Sequence, residues 1–184
     1  MDQQFDEKSL VQSAQAGDKT AFGRLIRMFQ QRLMRFVYGL LGSFDQAEDV
    51  VQEAFLKAWQ ALGSFDNTRP FYPWLSVIAR NLAFNLMRRE EKKESLEKLT
   101  EKGFDAVANK PGPLDILLEG ENEKRFYEAL ASMPVSYREV FVLRHFEDMN
   151  YTDIATELKI KPGTVDSRLY RARRYLMEQL NDLL

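Results

Sequence analysis

The sequence predicts an all-α protein made of two small helical domains joined by a flexible linker. Apolar residues recur at helical spacing along most of the chain, and no segment shows the sustained alternation of a β-strand between hairpin turns. Residues 91–123 interrupt this pattern, because they are highly charged, weakly periodic and contain a Pro-Gly-Pro sequence. We therefore predict domains at 1–90 and 124–184, and a linker at 91–123 whose charged beginning can prolong the preceding helix.

The N-terminal domain is predicted to begin with two long helices. Asp18 can cap the first helix, which stops near Gly42. Asp45 and Glu48 have the spacing of a capping box and open the second helix, which Gly63 ends.

A third helix is predicted from about Pro73 to Arg89, after a short polar loop at residues 64–70. Its buried stripe is predicted to consist of Leu75, Ile78, Ala79, Leu82 and Leu86. The three helices are expected to share one core.

The C-terminal domain has the sequence pattern of a helix-turn-helix. Ser136 and Glu139 provide another capping-box spacing before an apolar run. Asn150 can cap the first helix of the motif, residues 159–161 turn the chain, and Pro162 suits the first turn of the second helix. This arrangement predicts that the second helix offers its outer face to the major groove of DNA.

The second helix of this motif is basic on the side that does not face the core. Val165 and Leu169 are predicted to point inward, with Arg168 and Arg171 on the opposite face. The polar residues are Lys161, Thr164, Asp166, Ser167, Arg168, Arg171, Arg173 and Arg174. Arginine suits both phosphates and the guanine edge. The alternative is an ordinary solvated helix face, but the turn, the small Ala155 and the basic face occur together and favour DNA binding.

Composition narrows the classes of function. The chain has no cysteine and one histidine, His145, so we expect no disulfide, no metal centre and no cofactor. A net charge of -2 excludes a uniformly basic surface, so a DNA-binding face must be local. The N-terminus lacks the order of a signal peptide, and no stretch reaches the ~18 apolar residues of a membrane span, which favours a cytoplasmic protein.

Several segments resemble known regions of bacterial sigma factors. The C-terminal domain resembles region 4 in MPVSYREVFVLRHFEDMNYTDIATEL and GTVDSRLYRARRYL. The N-terminal domain resembles region 2.1 in AGDKTAFGRLI, region 2.2 in DQAEDVVQEAFLKAW, and regions 2.3 and 2.4 in FYPWLSVIARNLAFNLMRR. The short chain resembles most the extracytoplasmic-function group of the sigma-70 family.

The resemblance implies a sigma factor that binds core RNA polymerase and directs initiation at specific promoters. Its partners would be the β′ clamp helices and β subunit of the polymerase, promoter DNA and an anti-sigma factor that can hold it at the membrane. The polymerase-binding residues implied by region 2.2 are Glu48, Asp49, Gln52 and Glu53. On charge alone these acids are equally consistent with a solvated surface.

The resemblance also implies two DNA-binding sites. One captures a base of the melted minus-10 strand, and Asn67, Thr68 and Arg69 supply its polar groups. The rings of Phe71, Tyr72 and Trp74 either wall this pocket or fill the core. The DNA-binding residues implied along the next helix are Arg80, Asn81, Asn85 and Arg88. The other reads the minus-35 duplex through Lys161, Thr164, Asp166, Ser167, Arg168, Arg171 and Arg174. Asp166 departs from the basic or neutral residue that such proteins often carry there, which leaves the minus-35 sequence undetermined.

Two other classes of function are weighed against this interpretation. A freestanding helix-turn-helix regulator would bind duplex operators alone, but it would not need the N-terminal half. An enzyme would need a phosphate-binding glycine loop, a metal set or a nucleophile beside a histidine, and carboxylate pairs such as Glu48 and Asp49 have no such companions. We therefore predict a non-enzymatic protein with no small-molecule substrate.

Overall fold

All of the secondary structure that can be described is helical. A computed structural model describes the backbone of residues 6–97 and 120–180, and the side chains of 6–90 and 120–180. These residues form eight α-helices and one 3-10 turn and contain no β-strand. The predicted all-α class is confirmed.

The described residues fall into two compact units. The first unit comprises residues 6–37 and 45–97, and the second comprises Tyr38–Phe44 together with residues 120–180. The elements from residue 6 to residue 97 are α1 (Glu7–Gln15), α2 (Lys19–Leu41), α3 (Phe44–Ala61), a 3-10 turn (Leu62–Ser64) and α4 (Phe71–Glu97). From residue 120 onward they are α5 (Glu121–Ser132), α6 (Val135–His145), α7 (Tyr151–Leu158) and α8 (Pro162–Gln179).

The predicted helix boundaries are correct in some places and wrong in others. The Asp18 carboxylate accepts hydrogen bonds from the backbone nitrogens of Thr20 and Ala21, at 2.7 and 3.2 Å, so it caps α2 as predicted. Gly42 follows the last residue of that helix with a φ of 71°, a conformation that favours glycine. The capping box predicted at Asp45 is wrong, because α3 already begins at Phe44 and Asp45 lies within its first turn.

The capping box predicted at Ser136 is also wrong. Helix α6 begins at Val135, directly after Pro134, so Ser136 is already helical, and the residue at the capping position makes no side-chain cap hydrogen bond. Proline there has the fixed backbone angle that can precede a helix without a polar cap.

Helix α4 differs from its prediction in length and in the face that it buries. It starts at Phe71 and continues to Glu97, so the charged beginning of the predicted linker prolongs it, while residues 98–119 lie outside the described residues. Of the predicted stripe, Leu75 and Ala79 are buried, but Ile78, Leu82 and Leu86 are only half-buried. The buried residues are Phe71, Tyr72, Leu75, Ser76, Ala79, Arg80, Ala83, Phe84 and Met87. Because α4 buries this face instead of the predicted one, its large aromatic rings point inward, where they remove the most apolar area from water.

Helix α1 was not anticipated from the sequence. Its buried residues are Leu10, Val11 and Ala14, a short apolar stripe spaced by one and three residues. Its polar residues reach the segment between α3 and α4, which gives this helix importance for the site described below.

The helix-turn-helix has the predicted local structure. The Asn150 side chain accepts a hydrogen bond from the Asp153 backbone nitrogen at 2.9 Å and caps α7. Lys159 adopts a left-handed conformation in the turn, with a φ of 55°, and Pro162 occupies the first turn of α8. Val165 and Leu169 are buried against the unit's core, as expected.

Within the ranges 6–97 and 120–180, none of the helices has the length and apolar character needed to cross a bilayer.

Candidate nucleic-acid and polymerase interfaces

The segment at residues 64–70, called the capture loop below, is organised by its own aspartate. The Asp66 carboxylate accepts hydrogen bonds from the backbone nitrogen and the hydroxyl of Thr68, at 3.0 and 2.7 Å. It also lies 3.5 Å from the Arg69 guanidinium. The hydrogen bonds from the Thr68 hydroxyl and backbone, helped by the charge of Arg69, lower the pKa of Asp66. Asp66 therefore shapes the turn that presents Thr68 and Arg69, a role that the sequence analysis missed.

The three polar residues predicted to capture a base differ in exposure. Thr68 and Arg69 are exposed, and the Arg69 side chain keeps 79% of its surface in solvent. Asn67 is half-buried, and its amide donates a hydrogen bond to the Gln15 side-chain oxygen at 3.1 Å. The side chains of Thr68 and Arg69 are therefore open to a ligand, and the side chain of Asn67 is fixed by its hydrogen bond to Gln15.

The aromatic residues next to the capture loop form a packed cluster. Phe71 is fully buried between Phe65, whose ring centroid is 5.8 Å away, and Trp74, at 5.6 Å. Tyr72 is 5% exposed, and the Arg32 guanidinium lies 3.7 Å from its ring centroid. Phe71 and Tyr72 thus occupy the core, and of the three predicted rings only Trp74 is half-exposed and available for stacking.

The predicted DNA-binding residues of α4 separate into two groups. Asn81, Asn85 and Arg88 are exposed and spaced by four and three residues, so they share one helix face. Arg80 is only 7% exposed and lies on the buried side of the same helix. The open face of α4 therefore carries the amides of Asn81 and Asn85 and the guanidinium of Arg88, with the exposed Arg89 beside it and without Arg80.

The four predicted polymerase-binding residues of α3 are all exposed. They are Glu48, Asp49, Gln52 and Glu53. Glu53 pairs with Lys57 at 3.4 Å, an exposed contact of small energetic value. Leu56 is 57% exposed and lies one turn after Gln52. The sequence analysis missed it, although an apolar residue among the polar residues of a helix face can indicate a binding surface.

Gln52 and Leu56 also line an apolar groove. The groove has a volume of about 420 Å³, and its remaining lining residues are Lys19, Phe22, Ile26, Phe55 and Trp59 from α2 and α3. The acidic residues of α3 therefore continue into an apolar depression, a combination that suits a basic amphipathic helix.

Helix α8 presents the polar residues predicted to read duplex DNA. Lys161, Asp166, Ser167, Arg171 and Arg174 are exposed, while Thr164 and Arg168 are half-buried. The prediction that Arg168 lies opposite Val165 and Leu169 is wrong. With about 100° of rotation per residue, Arg168 sits at the edge of the buried face rather than across from it.

Two arginines of α8 contact neighbouring side chains on the surface. Arg171 donates a hydrogen bond to the Tyr137 hydroxyl at 3.2 Å, and Arg174 lies 2.9 Å from the Glu178 carboxylate. The hydrogen bond and charge of Glu178 raise the pKa of Arg174. Tyr170, directly before Arg171 and one turn before Arg174, is 67% exposed and was not singled out from the sequence. The outer face of α8 thus includes an aromatic ring as well as cations.

Comparison with known proteins identifies the family. Residues 25–93 match the family model of Sigma-70 region 2, and residues 123–176 match that of Sigma-70 region 4. The chain is 34% identical to the RNA polymerase sigma-H factor of Pseudomonas aeruginosa, over 98% of this chain and 97% of that protein. The chain belongs to the extracytoplasmic-function (ECF) sigma factors of RNA polymerase. It is also 31% identical to the ECF sigma factor SigW of Bacillus subtilis, over 96% of this chain and 97% of the relative.

Two solved structures resemble this ECF sigma factor. One is CnrH in complex with the cytosolic domain of CnrY, with a TM-score of 0.59 and 27% identity over 96% of this chain and 97% of that one. The other is the sigma factor RpoE in complex with the anti-sigma factor NepR from Bartonella quintana. It has a TM-score of 0.62 and 28% identity over 87% of this chain and 96% of that one.

These findings decide between the functions considered from the sequence. As an ECF sigma factor, the protein directs promoter-specific transcription by RNA polymerase. The match to Sigma-70 region 2 disfavours a freestanding helix-turn-helix regulator, which would not need that region. Both matching family models describe sigma regions rather than catalytic domains.

Proposed function

We propose that three separate surfaces of this ECF sigma factor divide the work of initiation. The exposed face of α3 binds the polymerase, the capture loop with the open face of α4 binds the melted minus-10 strand, and α8 reads the minus-35 duplex. The observation that carries this proposal is the separation of exposed from buried side chains among the predicted site residues. Each surface keeps a set of exposed polar groups with the chemistry that its partner requires.

The polymerase-binding proposal rests on charge and shape together. Asp49 and Glu53 offer carboxylates one turn apart, and Leu56 adds an exposed apolar group beside the groove. A basic amphipathic helix, the chemistry expected of the β′ clamp helices, would place cations on the acids and an apolar side chain in the groove. Acids in a merely solvated surface would not need the adjoining groove.

The minus-10 proposal rests on the capture loop and α4. Extruding a base from the duplex costs a few kcal/mol, which the protein must return through hydrogen bonds and stacking. Asn67, Thr68 and Arg69 supply the hydrogen bonds, and Trp74 supplies the half-exposed ring. Asn81, Asn85 and Arg88 then follow the opened strand along α4 with amide groups and one positive charge.

The minus-35 proposal rests on the outer face of α8. The residues proposed to contact DNA are Lys161, Thr164, Asp166, Ser167, Arg168, Arg171 and Arg174, and we add Tyr170 because its ring is exposed among them. Arginine can read guanine or hold phosphate, and an aromatic ring can contact the thymine methyl group. Asp166 would repel phosphate unless it accepts a hydrogen bond from cytosine or orients an arginine.

Partners, location and chemistry follow from the same assignment. Because one solved relative, the sigma factor RpoE, was captured in complex with the anti-sigma factor NepR, we propose that an anti-sigma factor covers this protein and can hold it at the inner face of the membrane. Core polymerase and promoter DNA then place the active protein in the cytoplasm. The protein works by binding alone and has no catalytic step, cofactor or small-molecule substrate.

Run-off transcription tests the proposal as a whole. Core polymerase is combined with a library of genomic promoters, with and without this protein. We expect defined start sites that appear only when both proteins are present. Start sites that are the same with core polymerase alone as with both proteins would overturn it, as would binding of this chain alone to duplex operators at nanomolar concentration.

A further inference from the structure

Helix α1 holds the capture loop through one glutamine. The Gln15 amide nitrogen donates hydrogen bonds to the carbonyl oxygens of Leu62 and Phe65, at 3.0 and 2.8 Å. The Gln15 side-chain oxygen accepts the hydrogen bond from the Asn67 amide at 3.1 Å. A primary amide offers two hydrogens and one carbonyl oxygen, so Gln15 uses every kind of hydrogen bond that it can make on the 3-10 turn and the capture loop that follows it.

The other end of helix α1 holds the point where the capture loop ends. The Glu7 carboxylate accepts a hydrogen bond from the Phe71 backbone nitrogen at 2.6 Å. This nitrogen belongs to the first residue of α4, and helix N-termini carry backbone donors without helical partners and a partial positive charge. Glu7 therefore fixes the start of α4, while Gln15 fixes the beginning and middle of the loop.

These contacts cannot arise from local sequence preference. Gln15 is separated from its three partners by 47, 50 and 52 residues. The loop backbone is not part of an α-helix, although turn hydrogen bonds run from Phe65 N to Leu62 O and from Arg69 N to Asp66 O, both at 3.1 Å. Its shape depends on these turns, on the Asp66 side chain and on α1. An irregular segment without such contacts would lose conformational freedom only when it binds a ligand, and that cost would weaken binding.

The position of Asn67 connects this arrangement to base capture. One hydrogen of the Asn67 amide is directed at Gln15, which fixes the plane of the amide group. Its other hydrogen and its carbonyl oxygen then have defined directions before any base arrives. Hydrogen bonds that are oriented in advance discriminate between bases better than bonds that must be ordered during binding.

We infer that α1 is a positioning element for minus-10 recognition, with Gln15 as its positioning residue and Glu7 as its second anchor. The inference rests on the proposed role of the capture loop. Gln15 does not touch the DNA; it presents Asn67 and the loop backbone in the form that receives an extruded base.

A pair of matched variants tests the inference in the assembled holoenzyme. Gln15→Met keeps the length of the side chain and removes its three hydrogen bonds, whereas Gln12→Met makes the same change at an exposed position of the same helix. The probe is a single-stranded oligonucleotide pool randomised across the minus-10 element, from which bound molecules are sequenced. We expect Gln15→Met to bind the preferred sequence about tenfold more weakly and to lose base preference at one position, with Gln12→Met unchanged.

Core-polymerase affinity and thermal unfolding separate positioning from general stability. A positioning role predicts that Gln15→Met holoenzyme assembles normally and that its minus-35 contacts are retained. Gln15→Glu provides a second variant, because it keeps an acceptor for Asn67 and loses both donated hydrogen bonds. We expect it to bind the pool more weakly than the wild type does, but to retain more base preference than Gln15→Met. If both variants fail to fold, α1 serves folding rather than recognition and the inference is overturned.

The failure of this inference can be distinguished from failure of the proposed capture site. If the triple change of Asn67, Thr68 and Arg69 to Ala leaves pool selection unchanged, the capture site is wrong. If the triple change abolishes selection but Gln15→Met selects the same bases with wild-type affinity, only the positioning inference is wrong. Non-additive effects of Gln15→Met and Asn67→Ala would support action through Asn67, and strict additivity would contradict it.

Discussion

The capture loop and helix α8 hold their DNA-binding side chains in different ways. In the loop, Asn67 is half-buried and fixed by Gln15 from a distant helix. On α8, Arg171 and Arg174 are exposed, and their hydrogen bonds to the half-buried Tyr137 and the exposed Glu178 are open to solvent. The loop is thus shaped before DNA arrives, whereas the α8 side chains can exchange a surface partner for a phosphate or a base at small cost.

The difference follows from the backbone beneath each site. A helix supplies its own hydrogen bonds and a fixed spacing of side chains, so α8 needs only core contacts such as Val165 and Leu169 to be held in place. A loop has neither advantage, and the capture loop takes its shape from the Asp66 turn within it and from the Gln15 side chain of α1. Mutations that act at a distance should therefore affect the capture loop more than α8.

The largest effect is expected from removing the polar groups of the capture loop. Changing Asn67, Thr68 and Arg69 together to Ala should reduce open complexes on duplex promoters by roughly 30- to 100-fold, because the cost of base extrusion is no longer returned. Permanganate footprinting of unpaired thymines measures this loss. A template already mismatched across the minus-10 region should restore part of it, though not the base preference.

Core binding and minus-35 contacts serve as controls for the triple variant and should be unchanged. If the variant opens duplex promoters as well as the wild type with the same minus-10 preference, the loop is only a connector. Base capture would then have to involve Trp74 or rearrangement of Phe71 and Tyr72, and the contrast with α8 would fail.

The next largest effect is expected on α8 itself. Arg171→Ala should cost about 1–3 kcal/mol on a minus-35-dependent promoter if it reads a base, and should weaken all sequences alike if it holds a phosphate. Arg168→Ala should have the smaller effect of the two, because Arg168 is half-buried at the edge of the inner face. Binding at several salt concentrations distinguishes base reading from phosphate contact. Wild-type initiation by both variants would rule out this face of α8.

A third variant leaves both DNA sites intact and tests the polymerase-binding face of α3. Asp49→Lys combined with Glu53→Lys should weaken association with core polymerase about tenfold, while the helix stays folded because both residues are exposed. Lys57→Ala removes the partner of Glu53 without reversing an acid and should change association less than about twofold. Pull-down of core polymerase at wild-type levels by the double variant would contradict the proposed docking face.

The smallest effect is expected from removing the surface hydrogen bond of Arg171 on α8, the counterpart of the Gln15–Asn67 hydrogen bond in the capture loop. Tyr137→Phe removes the hydroxyl that accepts from Arg171, and we expect minus-35 affinity to change about twofold or less, because an exposed pair exchanges easily with solvent. Gln15→Met, the corresponding change behind the capture loop, is expected to cost about tenfold at the minus-10 element. A tenfold loss for Tyr137→Phe in duplex-binding titrations would mean that α8 side chains are also held in place.

Features set by local chemistry were predictable from the sequence alone. The helical periodicity, the Asp18 cap of α2, the Asn150 cap of α7 and the proline at the start of α8 each depend on residues within a few positions of one another. The exposure of the α8 polar residues follows from the same periodicity once Val165 and Leu169 are buried. These features, with the motif resemblance, were sufficient for the fold class and the family.

Other features depended on contacts between distant segments. The sequence places apolar residues on more than one side of α4, and only packing against Phe29 and Phe65 decides that Phe71 is buried, which removes it from the DNA-facing set. The role of α1 was invisible for the same reason, because a glutamine 52 residues from Asn67 has no local signature. Tertiary structure decides which of several chemically suitable side chains are exposed and which are fixed by contacts from other helices. Exposure and fixing both depend on surfaces that meet only after folding.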